Sequence, residues 1–288
     1  METPVIGIVG GSGLYGMEGL EGLKEVAVDT PFGRPSDAFI TGTLGGVRLV
    51  FLPRHGRGHR VSPSEINYRA NVCGLKSLGV TRVVSVSSVG SMKEELHPGD
   101  IVVVDQFIDW TRHRATTFFS DGIVAHANVA DPVCAPLSAE LVRAAAACGA
   151  RVAPKGTYVC MEGPQFSTRA ESRVYRQWGV DVIGMTNAPE AKLCREAEIC
   201  YATLALVTDY DCWKTDEAAV EIEQVLAVMG KNVALAREIL RRAVPGLASE
   251  RTCPCRDALK SAIVTDPKAI SAETRARLRA VAGRYLGG

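Results

Sequence analysis

Short apolar runs that end in polar or glycine-rich residues recur along the chain. From their length and composition, buried strands are predicted at 5–9, 82–88, 101–105, 157–161, 180–185 and 201–208. Two more runs, 38–44 and 47–52, flank Gly45-Gly46 and predict a β-hairpin. Polar side chains follow several of these strands, and in open α/β sheets ligands bind beyond the carboxyl ends of the strands.

Amphipathic segments between these runs predict helices at 62–78, 137–148, 189–199, 216–244 and 271–285. The first helix is expected to begin at Ser62, with Pro63 in its first turn and Glu65 completing a capping box. The long helix is expected to end at Pro245-Gly246. Helices that alternate with strands are typical of a parallel or mixed sheet, so we predict an α/β fold with a central sheet flanked by helices.

Composition narrows the class of protein. The chain has 288 residues, 47% of them hydrophobic, and no clear linker or repeat, which predicts a single domain over 1–288. A net charge of +1 without long charged runs argues against a nucleic-acid or membrane partner. No apolar run approaches the ~18 residues of a membrane span, and the first residues lack a signal-peptide pattern, so a cytoplasmic location is expected.

The cysteine spacing predicts no metal site. There are nine cysteines, and only Cys253 and Cys255 are close in sequence. Without a CxxC spacing, most are expected to be small buried apolar residues of a reducing compartment. A redox or disulfide pair of Cys253 and Cys255 is the alternative.

A glycine-rich loop follows the first strand. Residues 11–16 match G-x-G-x-x-G, the pattern of dinucleotide-binding folds, which requires a helix directly after the loop. Residues 17–24 are short and glycine-containing and would form only a weak helix. The narrower inference is a loop whose amides, with the Ser12 hydroxyl, hold an anion; a plain glycine turn is the alternative.

The strand at 47–52 leads into a segment rich in cationic residues. Arg54, His55, Arg57 and His59 lie among glycines and predict a local cationic site. An arginine fork suits phosphate because it donates two hydrogen bonds at once. A metal on the two histidines is not favoured, because the glycines between them oppose the helix that this spacing requires.

Two acids follow the strand at 201–208. If the extended backbone continues, Asp209 and Asp211 point to the same side and meet one ligand; ordinary turn acids are the alternative. Phe166 lies in a loop before a helix and is a candidate stacking surface for an aromatic ring, or else a core residue. Ser87 and Thr186 also lie at strand ends. Hydroxyls and arginine suit phosphate, whereas two acids and an aromatic ring suit an adenine base.

Taken together, these motifs resemble those of the methylthioadenosine phosphorylases, within the trimeric nucleoside phosphorylases. The resemblance covers residues 5 to about 240 and rests on these motifs: GIVGGSGLYG (7–16), PRHGRGH (53–59), NYRANVCGLKSLG (67–79), PGDIVVVDQFID (98–109), EGPQFSTRAES (162–172), GMTNAPEAKLCREAEICYA (184–202) and TDYDCWK (208–214). It implies a nucleoside phosphorylase-like fold with a central mixed sheet, an extension at about 246–288, and a homotrimer or a dimer of trimers.

The resemblance also implies residue roles. Phosphate would be bound by Ser12, Arg54, His55, Ser87 and Thr186. The Met185 backbone would contact the ribose hydroxyls and Phe166 would lie along the purine, while Asp209 and Asp211 would hold N7 and the 6-amino group. The 5′-methylthio group would be contacted by Ile222, Leu226 and, from a neighbouring subunit, His126.

Two positions depart from some members of the family. Ser12 stands where some members have threonine, which keeps the hydroxyl. Gly184 stands where some have asparagine, which would remove one ribose contact.

The reaction implied is phosphorolysis of 5′-methylthioadenosine, with adenosine as a slower substrate, to adenine and a ribose 1-phosphate. Phosphate, a co-substrate and not a cofactor, attacks C1′ while Asp209 acts as a general acid at N7. No cofactor and no metal is expected. Three alternatives stay open: a nucleotide-dependent oxidoreductase, a nucleosidase that uses water, and a non-catalytic nucleoside-binding subunit.

Overall fold

One mixed sheet of eleven strands organises the computed structural model, which describes residues 4–11, 13–214 and 222–287, without the side chains of 222–227 and 229. The strands are β1 Val5–Gly10, β2 Leu20–Val26, β3 Phe39–Leu44, β4 Val47–Pro53, β5 Val80–Ser91, β6 Ile101–Val104, β7 Gln106–Asp109, β8 Val152–Ala153, β9 Thr157–Cys160, β10 Val182–Gly184 and β11 Cys200–Asp209. The α-helices are α1 Tyr68–Ser77, α2 Ala135–Ala147, α3 Arg169–Gln177, α4 Asn187–Glu196, α5 Ile222–Leu247, α6 Ala272–Arg277 and α7 Arg279–Leu286.

The long central strand β5 sets the direction of its neighbours. β1 and β11 pair with β5 in parallel, and β4 pairs in parallel with β1. These four strands therefore end at the same edge of the sheet. β10 runs antiparallel to β5 and pairs Ile183 with Gly90, which brings residues 184–186 to that edge as well.

The apolar core lies on both faces of the sheet. Helices α2 and α5 cover one face, where Leu141 and Leu240 are fully buried against the strands. Helices α1, α4 and α7 cover the other face. No helix in the described ranges combines the length and apolar character needed to cross a membrane.

The C-terminal segment packs into the same core. Cys253 and Cys255 join the cluster that contains Cys200 of β11. Leu259, Ile270 and Leu278 join the cluster on the opposite face of the sheet. Hydrophobic contacts thus tie the predicted extension to the sheet.

The predicted β-hairpin is confirmed as β3 and β4, which pair antiparallel around Gly45-Gly46. Residues 17–24, expected to be a poor helix at best, form no helix, because residues 20–26 form β2 on the exposed edge of the sheet beside β3. A strand and not a helix therefore follows the glycine loop.

Three predicted helix boundaries are also wrong. The first helix begins at Tyr68, because the Asn67 side chain caps it, while Glu65 and Ser62 bond each other within a separate turn. Helix α5 continues through Pro245 to Leu247, which is buried in the core. The predicted helix at 271–285 is divided into α6 and α7 at the buried Leu278.

The buried Glu196 predicts a pH-dependent stability. Burial raises its pKa to about 7, although hydrogen bonds from Phe118 and Thr117 act in the opposite direction. The folded state therefore keeps a proton that the unfolded chain loses above pH 4.5, so this group lowers the free energy of unfolding by about 3 kcal/mol as the pH rises from 4.5 to 7. The Glu196→Gln variant cannot lose this proton, so its free energy of unfolding in urea should rise relative to wild type by about that amount between pH 4.5 and 7. A difference that does not change with pH would contradict the shift.

Candidate active site

A cavity of about 290 Å3 lies at the edge of the sheet where β1, β4, β5 and β11 end. The loop after β1, the ends of β4, β5 and β11, and the segment after β10 all contribute to its wall. Predicted site residues in the wall are Arg54, His55, Ser87, Phe166, Met185, Thr186, Asp209 and Asp211. The expected convergence of strand ends is confirmed.

Arg54 lies at the base of the cavity and is 3% exposed. Its Nε and Nη2 form a bidentate ion pair with Glu190, and Nη2 also donates to the carbonyl of Val9 over 3.2 Å. Nη1 donates to the carbonyl of Val86 over 3.0 Å. Burial acts to lower the pKa of Arg54, but the charge of Glu190 raises it, so the guanidinium stays protonated. Among the described residues, one Nη1 hydrogen has no protein acceptor.

Sequence reasoning missed the polar network that holds Arg54. Ser85 donates to Glu190 over 3.0 Å, and Asn187 donates to Ser85 over 2.8 Å. Tyr201 also donates to Glu190, over 3.1 Å. The one available signal was the acid that Glu190 places in the first turn of helix α4.

The predicted cationic cluster is wrong in part. Arg57 points away from the cavity and pairs at 2.8 Å with both Glu25 and Asp37. Burial, followed by the charge of Arg54, lowers the pKa of His55 to about 4, so this ring is neutral near pH 7. Its Nδ1 lies 2.9 Å from the Val61 carbonyl, which indicates that Nδ1 carries the proton and leaves Nε2 as an acceptor. Arg54 is therefore the cation that this segment supplies to the cavity wall.

His59 also lines the cavity, and its ring stacks on that of His55 with 4.4 Å between centroids. The pair thus forms part of the wall, as expected for two residues of the predicted cationic segment, although no role in phosphate binding was predicted for His59.

Asp209 and Asp211 face the same cavity, but not for the predicted reason. β11 ends at Asp209, and Asp211 has a φ of +52°, so the extended backbone does not continue between them. A bulge between Val207 and Asp209 places Asp209 opposite Gly90. A side chain at Gly90 would lie 3.0 Å from Asp209 Oδ1, so glycine provides the space that this carboxylate occupies.

Burial raises the pKa of both acids. The carboxylate of Asp209 accepts hydrogen bonds from Thr208 at 2.6 Å and from the Asp211 amide at 2.8 Å, which limit the shift. Asp211 accepts from Ser172 at 2.6 Å, and the charge of Asp209 adds a smaller upward contribution to its pKa. Raised pKa values favour a proton on these acids, which allows them to donate to a ligand.

Phe166 is 56% exposed at the mouth of the cavity, so the alternative of a core phenylalanine is wrong. The Met185 carbonyl accepts a hydrogen bond from Arg114, a buried residue between β7 and α2 that sequence reasoning did not identify. Arg114 also pairs with Glu162 at 3.1 Å. Arg114 thus fixes the backbone beside Thr186.

Gly184 is required by its neighbour Tyr158. A Cβ at position 184 would lie 2.0 Å from the Tyr158 hydroxyl oxygen, so a side chain there cannot fit without rearrangement. The departure from asparagine at this position therefore has a steric reason.

The remaining predicted residues are Ser12, Ile222, Leu226 and His126. Ser12 and the side chains of Ile222 and Leu226 lie outside the described residues. Of α5, Val233 contributes to the wall, and Arg237 holds the glycine loop by donating to the Gly13 carbonyl over 2.7 Å. His126 does not line the cavity; its backbone amide donates to the Ala262 carbonyl over 2.8 Å.

The chain belongs to the phosphorylase superfamily, whose family model matches residues 5–245. It is 60% identical over 283 residues to an S-methyl-5′-thioadenosine phosphorylase of Geobacter sulfurreducens, covering 98% of this chain and 99% of the relative. It is 53% identical over 282 residues to the enzyme of that name from Koribacter versatilis, covering 98% and 97%. The resemblance inferred from the motifs is confirmed.

Solved structures agree on the fold. A methylthioadenosine phosphorylase sourced from an Antarctic soil metagenomic library has a TM-score of 0.92 and 50% identity, covering 98% of this chain and 99% of that one. A methylthioadenosine phosphorylase from Schistosoma mansoni in complex with adenine has a TM-score of 0.82 and 39% identity, covering 90% and 96%. The predicted nucleoside phosphorylase fold is confirmed, and the dinucleotide alternative fails because β2, not a helix, follows the glycine loop.

The buried ion pair between Arg54 and Glu190 predicts that a conservative substitution of Glu190 strongly lowers the free energy of unfolding. Glu190→Gln keeps the shape of the side chain but leaves the Arg54 charge without its counter-charge, and breaking such a pair costs about 3–5 kcal/mol. The free energy of unfolding in urea should fall by that order. The control is Glu238→Gln, which removes an exposed acid that pairs with Arg241 and Arg242 and should leave stability near wild type. Equal losses for the two variants would contradict the assignment.

Proposed function

We propose that the protein catalyses the phosphorolysis of 5′-methylthioadenosine to adenine and 5-methylthioribose 1-phosphate. The observation that carries this proposal is one cavity with a buried, protonated arginine at one side and two acids of raised pKa at the other. An anion would pair with the arginine, and a purine base with hydrogen-bond donors would bind to the two acids. Relatives that match nearly the whole chain are named for this reaction.

Phosphate binds at the Arg54 side in this proposal. The Nη1 hydrogen of Arg54, the hydroxyls of Ser87 and Thr186, and Ser12 supply donors. His55 contributes an acceptor at Nε2, which suits the hydroxyl of a hydrogen phosphate ion. Glu190 keeps Arg54 in place, so the cation is positioned before the anion arrives.

Adenine binds at the acidic side. Asp209, when protonated, donates to N7, and Asp211 accepts from the 6-amino group. Phe166 covers the purine ring at the cavity mouth, and the Met185 backbone contacts the ribose. A 6-oxo purine would place an oxygen where the 6-amino group donates, and an unmet polar group costs about 1–3 kcal/mol.

The reaction proceeds by attack of a phosphate oxygen on C1′ as the C1′–N9 bond breaks, with inversion at C1′. The negative phosphate stabilises the oxocarbenium character of the ribose. The departing electron pair goes to the base, and the proton from Asp209 neutralises it at N7. General-acid catalysis of this kind increases the reaction rate by about 10²–10⁴-fold.

The 5′-methylthio group would meet Ile222 and Leu226 of α5 and, across a subunit boundary, His126. This part of the proposal requires a homotrimer or a dimer of trimers, as the resemblance implies. In this proposal the enzyme is cytoplasmic and uses neither a cofactor nor a metal in catalysis.

One prediction of this proposal concerns the co-substrate. Adenine should be released from 5′-methylthioadenosine only when inorganic phosphate is present, together with one equivalent of 5-methylthioribose 1-phosphate, measured by chromatography. Inosine should be a much poorer substrate in the same assay. Release at the same rate without phosphate would instead establish a nucleosidase, and no release from either nucleoside would leave a binding protein.

Another prediction of this proposal concerns the general acid, Asp209. Asp209→Asn should lower kcat by about 10²–10⁴-fold, because it cannot give a proton to N7. In wild type, kcat should fall as the pH rises through the raised pKa of Asp209, and this limb should be absent in the variant. Asp105→Asn, at the end of β6 and away from the cavity wall, is the matched control and should keep the wild-type profile. Turnover near wild type in Asp209→Asn would remove Asp209 from the acid role.

A further inference from the structure

Four cysteines from separate parts of the sequence meet at the start of β11, at the opposite end of this strand from Asp209. Cys134 precedes helix α2, Cys200 begins β11, and Cys253 and Cys255 flank Pro254 in the C-terminal segment. Their four sulfur atoms all lie within 4.8 Å of one another, and the thiols are free. All four residues are less than 9% exposed.

The arrangement of sulfur atoms suits one tetrahedral metal ion. Zn–S bonds of about 2.3 Å place the sulfurs of a tetrahedral site roughly 3.8 Å apart. The Cys200 and Cys253 sulfurs are 3.2 Å apart, and the longest separations are below 4.8 Å, so small side-chain adjustments around a common centre are sufficient. Four thiolate sulfurs in a tetrahedral arrangement are a standard ligand set of structural zinc sites.

Three arginines surround the cluster and provide an independent observation. Arg251 Nε lies 3.2 Å from the Cys200 sulfur, and Arg195 Nη1 lies 3.5 Å from the Cys255 sulfur. Arg82 is 6% exposed and lines the same small cavity as Cys134, Cys200 and Cys253, and its Nη1 is buried without a hydrogen-bond partner in the described residues.

These arginines lack carboxylate partners within the described part of the chain. Arg82, Arg195 and Arg251 donate to the backbone carbonyls of Ser249, Asp131 and Glu198, which carry no counter-charge. Four thiolates around Zn²⁺ leave a net charge of about −2, which the guanidinium groups would balance while donating to the sulfurs. Disulfides would be neutral and would leave the buried guanidinium of Arg82 and the half-buried ones of Arg195 and Arg251 uncompensated.

We propose that Cys134, Cys200, Cys253 and Cys255 form a structural tetrathiolate site for Zn²⁺. The site links the C-terminal segment and the start of α2 to the central strand β11. With four protein ligands it has no open position, so it takes no part in catalysis. It lies roughly 30 Å along β11 from Asp209, as expected for a strand of this length.

The cysteine spacing did not predict this site, because a zinc-binding pair of neighbouring cysteines usually has the CxxC spacing. Cys253 and Cys255 are only two residues apart, and the other two ligands come from distant positions. Folding alone brings the four together.

The metal content of the full chain tests this proposal. Protein purified under reducing conditions and incubated with zinc should retain about one zinc per chain after gel filtration, measured by inductively coupled plasma mass spectrometry. Cys253→Ser/Cys255→Ser should lose this zinc. The matched control, Cys73→Ser/Cys148→Ser, removes two thiols outside the cluster and should retain it.

Two measurements on the wild-type chain keep the test independent of how the variants fold. A mercurial thiol reagent should release one zinc per chain, and cobalt in place of zinc should give the absorption of tetrahedral cobalt thiolate. Wild-type protein that retains no zinc would overturn the proposal. So would an intact mass, obtained without reductant, that shows disulfides among these four cysteines, or equal zinc in the double variant and the control.

Discussion

The buried ion pair between Arg54 and Glu190 is the interaction on which the site depends. It connects the end of β4 to helix α4, and the hydrogen bonds of Arg54 to Val9 and Val86 extend it to β1 and β5. A guanidinium with 3% exposure would be unstable without this carboxylate. The pair therefore fixes the ends of three parallel strands relative to one helix and holds a permanent positive charge at the base of the cavity.

A different constraint determines the position of Asp209 at the acidic side of the cavity. The bulge in β11 and the missing side chain of Gly90 allow Asp209 to lie at the sheet edge, while burial raises its pKa. The same sheet thus presents a permanent cation on one side and protonatable acids on the other. This separation of charge suits a reaction in which an anion attacks and a base leaves after receiving a proton.

The two ends of β11 have different chemistry. Asp209 at its carboxyl end belongs to the proposed active site, and Cys200 at its amino end belongs to the proposed metal site. If zinc joins the C-terminal segment to Cys200, the strand that carries the acid is anchored at its far end. The stability of the sheet and the chemistry of the cavity would then be controlled by separate groups of residues.

Sequence alone determined the alternation of strands and helices, because apolar periodicity reflects which face is buried. It also located Arg54 and Asp209, because polar residues after buried strands collect at one sheet edge. Motif resemblance identified the family. Tertiary structure alone decided that Arg57 turns to surface acids, that Glu190 neutralises Arg54 and that four cysteines meet. It also decided that Asp211 reaches the cavity through a left-handed turn and that Ser62 does not begin a helix. The physical reason is that charge pairing, pKa shifts and sulfur clusters depend on distances between residues far apart in the chain, whereas periodicity is local.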